Sequence, residues 1–373
     1  MKMLIVFLIG SIVLLASVPV VAQHGGKVIS SVFIMDADGT NQRPLFPYPV
    51  SASALDVSPD GTRIAYSRSG RLGLDVWVSD FGGGNAVNLT DSSGISEFGP
   101  SWSPDGSRIA FMANPSGNGD VFIMDADGQN IVNLTNHPAS DGGPAWSPDG
   151  NRIAFHSNRD GPTQIYLMNA DGSGIRNVTN NTSENTFHIE AAWSPDGNRI
   201  AFVEVVGLER HIYLINITGE PPQALFTEPS EARHPSWSPD ASRIAFSLYR
   251  EGITDIFLMN PGGEDLLNLT HGVGTNGQPT WTPDGRIVFA TTRSPEELEE
   301  IDRQFLGPDR VLIILEEGGL SFELRRGNMP PVRLRRTNAA GETEDIPLDR
   351  GEAERILRRR GESYVKLDSL FSP

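Results

Sequence analysis

The sequence contains no cysteine. Disulfides and thiolate metal sites are therefore excluded. Positive charge is scarce relative to negative: Lys and Arg total 30 against 47 Asp and Glu, a net charge of −17. Such a chain is repelled by phosphate backbones and anionic membrane surfaces, so no nucleic-acid partner is expected. Beyond the first 22 residues there is no long apolar run, so no later segment can span a bilayer. H-E-x-x-H, G-x-S-x-G and phosphate-loop patterns are all absent. Turn formers are abundant instead, with 39 Gly and 27 Pro beside 38% hydrophobic residues. That composition is globular and rich in turns, not disordered. At 373 residues the chain is long for one ordinary core, yet sheet-built single domains reach this length.

The N-terminus reads MKMLIVFLIGSIVLLASVPVVAQ. Lys2 supplies a positive start, an apolar run follows, and Val20-Val21-Ala22 offers a small-residue cleavage site before Gln23. Pro19 and the small residues favour a cleaved export signal over residues 1–22; an uncleaved anchor is the other reading. Either places the remainder outside the cytoplasm, periplasmic or secreted, with no membrane span once the signal is removed.

One sentence of the sequence recurs. VSPDGTRIAY begins at Val57, WSPDGSRIAF at Trp102, WSPDGNRIAF at Trp146 and again at Trp193, WSPDASRIAF at Trp237 and WTPDGRIVFA at Trp281. The steps are 45, 44, 47, 44 and 44 residues, the period of a four-stranded propeller blade. Ser-Pro-Asp-Gly is turn chemistry, with Pro fixing φ and Gly closing the turn. Each unit reads as four antiparallel strands: A ends at the Trp, B is RIAF, C is of the type DIFLMN and D ends in NLT or NVT. The first C–D pair, Ser31–Phe46, precedes the first A–B pair, and the last A–B pair lacks a regular C–D pair. A six-bladed ring closed by the N-terminal strands resolves this offset and removes free sheet edges. In the rival closure the hairpin at Val311–Arg326 completes the sixth blade. The repeated Trp is expected to fill the wedge between blades. Val57 replaces it once, which predicts one weaker contact. Asp and Arg three apart, as in Asp105/Arg108, Asp149/Arg152 and Asp196/Arg199, are expected to brace the turn.

Tandem WSPDGxRIAF…IYxMNADG…LT over Val28–Thr292 resembles the TolB-like β-propeller repeat. The resemblance implies an extracytoplasmic six-bladed propeller acting as a scaffold for other proteins. TolB carries an α/β domain before its propeller that this chain lacks, so no role in the Tol–Pal system is carried over. The absence of G-x-S-x-G excludes the propeller half of a prolyl-oligopeptidase-type hydrolase with its catalytic domain attached. The fold expected is all-β: a propeller over 28–293, then a small mixed extension over 294–373. In that extension helices are expected at Ser294–Phe305 and Arg350–Gly361, a hairpin at Val311–Arg326, and further strands in PVRLRRT and EDIPL.

The A–B and C–D turns repeat almost unchanged, whereas the D–A loops differ from blade to blade, and variable loops on a rigid scaffold carry binding. Residues three to five places before each Trp should ring that channel mouth: Glu97, Asp141, His188, Glu190, His234, Asn276 and Gln278. Carboxylates, imidazoles and amides converging there suit a divalent cation (calcium or zinc) or a basic side chain of a partner. His137 and His271 sit further out. MDADG at Met35 and Met124 is not a calcium loop, because the twelfth positions are Pro47 and Asn136 where Glu is required. NLT at Asn88, Asn133 and Asn268 reads as a strand signature. The leading reading is a monomeric, non-catalytic exported scaffold binding an extracytoplasmic protein or cell-envelope component. The alternative is a metal-dependent propeller enzyme, lactonase-like or a sugar lyase, with its site at the channel mouth.

Overall fold

The computed structural model describes residues 31–47, 50–69, 73–91, 94–115, 117–228 and 231–293, and four strands between 312 and 347. The export signal and the two helices expected after residue 293 lie outside the described residues. The chain divides into two compact units, Met1–Arg293 and Ser294–Pro373.

In the first unit, β1 (Ser31–Met35) and β2 (Arg43–Pro44) precede the first repeat. Blade 1 is β3 (Ala52–Val57), β4 (Arg63–Ser69), β5 (Leu74–Asp80) and β6 (Val87–Asn88). Blade 2 is β7 (Glu97–Trp102), β8 (Arg108–Ala113), β9 (Asp120–Asp125) and β10 (Val132–Asn133). Blade 3 is β11 (Asp141–Trp146), β12 (Arg152–Ser157), β13 (Gln164–Asn169) and β14 (Arg176–Asn177). Blade 4 is β15 (Thr186–Trp193), β16 (Arg199–Val206), β17 (Glu209–Asn216) and β18 (Gln223–Phe226). Blade 5 is β19 (Glu231–Trp237), β20 (Ile244–Arg250), β21 (Ile253–Met259) and β22 (Leu267–Asn268). Blade 6 runs β23 (Asn276–Trp281), β24 (Ile287–Thr291), then β1 and β2. β1 pairs antiparallel with β24 from Ser31↔Thr291 to Met35↔Ile287, so the N-terminal strands close the ring. The C-terminal hairpin does not take that place. The six A strands (β3, β7, β11, β15, β19 and β23) touch in succession, and β23 returns to β3.

The second unit contains an antiparallel meander of β25 (Leu312–Glu317), β26 (Leu320–Arg325), β27 (Arg333–Thr337) and β28 (Thr343–Pro347). These are the hairpin and the two further strands expected there.

Strand B is apolar without alternation because both faces of a blade meet a neighbour. Ile109, Ala110 and Phe111 are fully or almost fully buried, as are Ile200, Ala201 and Phe202. The core is therefore a series of wedges. One holds Ala65, Val76 and Val78 of blade 1 against Trp102, Ile109 and Phe111 of blade 2. The next repeats it with Ala110 and Val121 against Trp146, Ile153 and Phe155. Four of the five motif Trp residues also receive a guanidinium from the blade before: Arg63 over Trp102 at 4.5 Å, Arg108 over Trp146 at 5.0 Å, Arg152 over Trp193 at 5.2 Å and Arg199 over Trp237 at 5.0 Å. Such contacts contribute about 0.5–1 kcal/mol each. This corrects the brace expected between Asp and Arg: among these pairs only Arg152–Asp149 approaches ion-pair range, at 3.9 Å, and the Arg ties blade to blade. Where Val57 replaces Trp, Arg286 turns back to Asp284 at 2.7 Å. The wedge there is filled by Phe46, Leu55, Val57 and Tyr66.

The Asp of each Ser-Pro-Asp-Gly turn serves the turn itself. Ser103 Oγ donates to Asp105 Oδ1 at 2.6 Å, Ser107 N donates to the same oxygen at 3.0 Å, and Arg108 N donates to Ser103 Oγ at 2.9 Å. The NLT signature also has a structural meaning. Asn133 Nδ2 donates to Asp120 Oδ2 at 3.0 Å, and Thr135 Oγ1 accepts from Val121 N at 3.0 Å, pinning the short outer strand to strand C. Asn88 with Asp75 and Asn268 with Asp255 repeat the link.

Candidate binding site at the channel mouth

Every A strand contains a β-bulge. In blade 3 the register moves from Gly142↔His156 to Ala145↔Ala154, so strand A carries one extra residue. The same shift occurs in the other five A strands. The residue three before the Trp absorbs it in a left-handed conformation: Ala54 at φ 49°, Gly99 at 67°, Gly143 at 56°, Glu190 at 56°, His234 at 52° and Gln278 at 56°. Non-glycine residues there cost about 1–2 kcal/mol each. Their side chains, and those one before the Trp, remain half-buried in nearly every blade, whereas positions two and five before it are almost all buried. Two tiers therefore line the channel.

The seven expected residues divide between two depths. Glu97, Asp141, His188 and Asn276 occupy the position five before the Trp and are buried. Asp141, His188 and Asn276 each find partners within their own blades. Asp141 accepts two bonds from Arg159 Nη2 at 3.0 and 3.1 Å. His188 Nε2 lies 3.2 Å from Glu204 Oε2. Asn276 Nδ2 donates to Val273 O at 2.9 Å, and its Oδ1 accepts from Thr291 Oγ1 at 2.8 Å. Burial holds the His188 imidazole below the ordinary histidine range, against the opposing pull of Glu204.

Glu190, His234 and Gln278 occupy the left-handed tier, and these side chains do meet neighbouring blades. Glu190 Oε2 accepts the His234 backbone N–H at 2.6 Å, and its Oε1 lies 3.9 Å from His234 Nε2. Gln278 Oε1 accepts from Ala54 N at 2.6 Å, joining blade 6 to blade 1. Burial lowers the His234 pKa, Glu190 raises it, and Arg233 and Arg210 lower it further. Arg210 and Arg233 both reach Glu231 Oε2 at 2.9 Å, adding a charged rim between blades 4 and 5. Backbone pairing of Arg210 with Glu231 joins those two blades into one sheet.

His234 Nδ1 sits 3.4 Å from Ser247 Oγ. Ser247, His234 and Glu190 thus lie in the order of a nucleophile, a base and an acid. The Ser247 hydroxyl oxygen accepts from Gln278 N at 3.0 Å and the residue is buried, so it is a bulge support and not an accessible nucleophile. Among the described residues no group of three or more His, Asp or Glu is arranged to hold a metal ion.

Sequence reasoning missed Arg159, Glu204, Arg210, Glu231 and Arg233, which neutralise or flank the expected residues. It also missed His156, whose imidazole packs on the Gly142–Gly143 backbone and is pushed by burial down to about 4, with Glu190 and Asp141 pulling the other way. Asp56 was missed too. Aligning the position just before each Trp finds it, since Ser101, Ala145, Ala192, Ser236 and Thr280 stand there in the other blades.

With the repeated blade, its N-terminal closure and the two channel tiers described, the relatives become informative. The family model of the TolB beta propeller domain matches residues 16–191 and 182–297. The chain belongs to this family. Among solved structures, a protein designated TolB from Agrobacterium tumefaciens matches with a TM-score of 0.60 and 20% identity, over 71% of this chain and 99% of that one. TolB of Acinetobacter baumannii matches with a TM-score of 0.57 and 21% identity, over 68% of this chain and 66% of that one. Hydrazine synthase of Kuenenia stuttgartiensis matches with a TM-score of 0.51 and 16% identity, over 63% of this chain and 44% of that one. At these identities the likenesses show the fold. No curated protein matches the chain. As a TolB-type propeller, it has no helix among its described residues long and apolar enough to cross a membrane.

Proposed function

We propose that this TolB-type propeller is an exported, non-catalytic scaffold that docks an extracytoplasmic protein at the channel mouth on its variable-loop face. One observation carries the reading. The water-reachable polar side chains of the left-handed tier, Glu190, His234 and Gln278, fall on three consecutive blades, while blades 1 to 3 present Ala54, Gly99 and Gly143. This tier is thus polar in blades 4 to 6 and carries only Ala or Gly in blades 1 to 3, an asymmetry suited to a partner bound in one orientation. Those polar residues occupy left-handed backbone where Gly fits best, and Ala or Gly holds the same bulge in blades 1 to 3. Export rests on the Met1–Ala22 pattern, and the extension over 294–373 remains a separate unit of unassigned role. A metal-dependent enzyme is not favoured by any group of ligands among the described residues.

The test is capture from the native envelope with the tagged full-length chain. Arg233→Ala with Gln278→Ala should reduce the captured partner by about tenfold, the loss of roughly 1.4 kcal/mol. Asp105→Asn, on the opposite face, should leave it unchanged. Equal capture by all three proteins, or loss only with Asp105→Asn, would overturn the docking face.

A further inference from the structure

The second channel tier contains one charge. Of the residues just before each Trp position, only Asp56 is ionisable; Ser101, Ala145, Ala192, Ser236 and Thr280 complete the ring. Asp56 Oδ2 accepts the Trp102 backbone N–H at 2.7 Å and so links blade 1 to blade 2. One blade further on, Ser101 Oγ accepts the Trp146 N–H at 3.3 Å. A hydroxyl therefore suffices for this link, and the carboxylate at Asp56 brings a charge that it does not need. Among the described residues Asp56 forms no ion pair, and no charged group contributes to its ionisation. The tier above it is bare on the side that Asp56 faces: a Cβ added at Gly99 would meet no atom within 4 Å.

We propose that the channel holds a site for an organic cation with N–H donors, the ammonium or guanidinium of a partner's side chain, with Asp56 as its anion. The proposal rests on the docking reading above and names the chemistry that enters. Charge-assisted hydrogen bonds from such a group would occupy the carboxylate, and in the tier above it even a Cβ added at Gly99 would meet no atom within 4 Å. The unpaired state has a visible consequence. Burial raises the Asp56 carboxyl to about 7, partly offset by the N–H groups of Trp102 and Val57. A carboxyl so raised keeps its proton in part of the molecules at neutral pH, and a bound cation expels it.

The test is calorimetric titration of the full-length chain at pH 7 with butylguanidinium and butylammonium. Tetramethylammonium, which has no N–H donor, and calcium are run at matched ionic strength. Binding of either N–H cation should release protons, counted by repeating the titration in buffers of different ionisation heat. Asp56→Asn should weaken it by about tenfold or more, the loss of a charge-assisted bond. Asp56→Ser, which keeps the inter-blade link as Ser101 does, should do the same and serves if the Asn variant fails to fold. Binding without proton release, undiminished binding by Asp56→Ser, an equal response to tetramethylammonium, or a response to calcium alone would each overturn the site. The probes need no partner protein, so failure here leaves the docking face standing, and loss of the docking face leaves this titration readable.

Discussion

Ala241 stands where five of the six A–B turns have Gly. Its φ is 60°, against 70° at Gly61, 69° at Gly106, 71° at Gly150, 70° at Gly197 and 84° at Gly285. A Cβ in left-handed backbone costs about 1–2 kcal/mol, and Gly gives back about 0.5–1 kcal/mol through unfolded-state entropy. Ala241→Gly should therefore stabilise the protein by about 0.5–1 kcal/mol, less the small packing contribution of a methyl at the edge of a core cluster. Denaturant unfolding measures it; a lower midpoint for the Gly variant would contradict the assignment. The same strain at Glu190, His234 and Gln278 belongs to the strand A bulge, which Gly99 and Gly143 form at no such cost.

The Ser-Pro-Asp-Gly turn is the element that most directly ties stability to pH. Its Asp residues are held low, to about 2 at Asp60, Asp105 and Asp240, first by the hydroxyl of Ser58, Ser103 and Ser238 and then by backbone N–H groups. Their folded pKa lies below the unfolded value, so the carboxylate form is the stabilising one. That contribution is complete above about pH 4 and disappears as pH falls towards 2. These groups are largely exposed, so solvent screens each contribution, and the effect is expected from their number. Thermal unfolding should show a falling midpoint between pH 4 and 2, and a slope reduced in Asp60→Asn/Asp105→Asn/Asp240→Asn. An unchanged slope in that variant would place the acid sensitivity elsewhere. Asp56 acts with the opposite sign: its raised pKa makes the protonated form the stabilising one, lost as pH climbs towards 7.

At the scale of the whole molecule, stability depends on closure. Five backbone pairs join β1 to β24, Phe33 and Phe289 pack at 5.9 Å between centroids, and Arg293 donates to Gln42 of the N-terminal segment. Deleting Ser31–Phe46 would leave β24 as an open edge and uncover Val32, Ile34 and Phe46 contacts in the wedge between blades 6 and 1. The truncated chain should aggregate or lose its cooperative transition. A truncated chain that stays monomeric and melts at the full-length temperature would show that β1 and β2 are dispensable.

The sequence by itself determined the blade, its count and its closure. Those are local and periodic properties: turn chemistry, a two-residue alternation or its absence, and the half-blade offset between Ser31 and Trp281. It also marked the mouth, because counting back from a repeated Trp finds equivalent positions in every blade. Tertiary structure alone decided which of those positions converge. A bulge in strand A separates residues five before the Trp from those three before it, and a one-residue insertion changes where every preceding side chain goes. Asp141 and His188 were thereby turned into their own blades, towards Arg159 and Glu204, while Glu190 and Gln278 were carried across to the next. Those partners lie 16 to 44 residues away along the chain for three of the four contacts, and the Gln278–Ala54 contact spans the whole ring. No spacing in the sequence records such contacts, because they exist only once the strands of a blade and its neighbours have packed, and the Gln278–Ala54 contact only once the sixth blade has met the first.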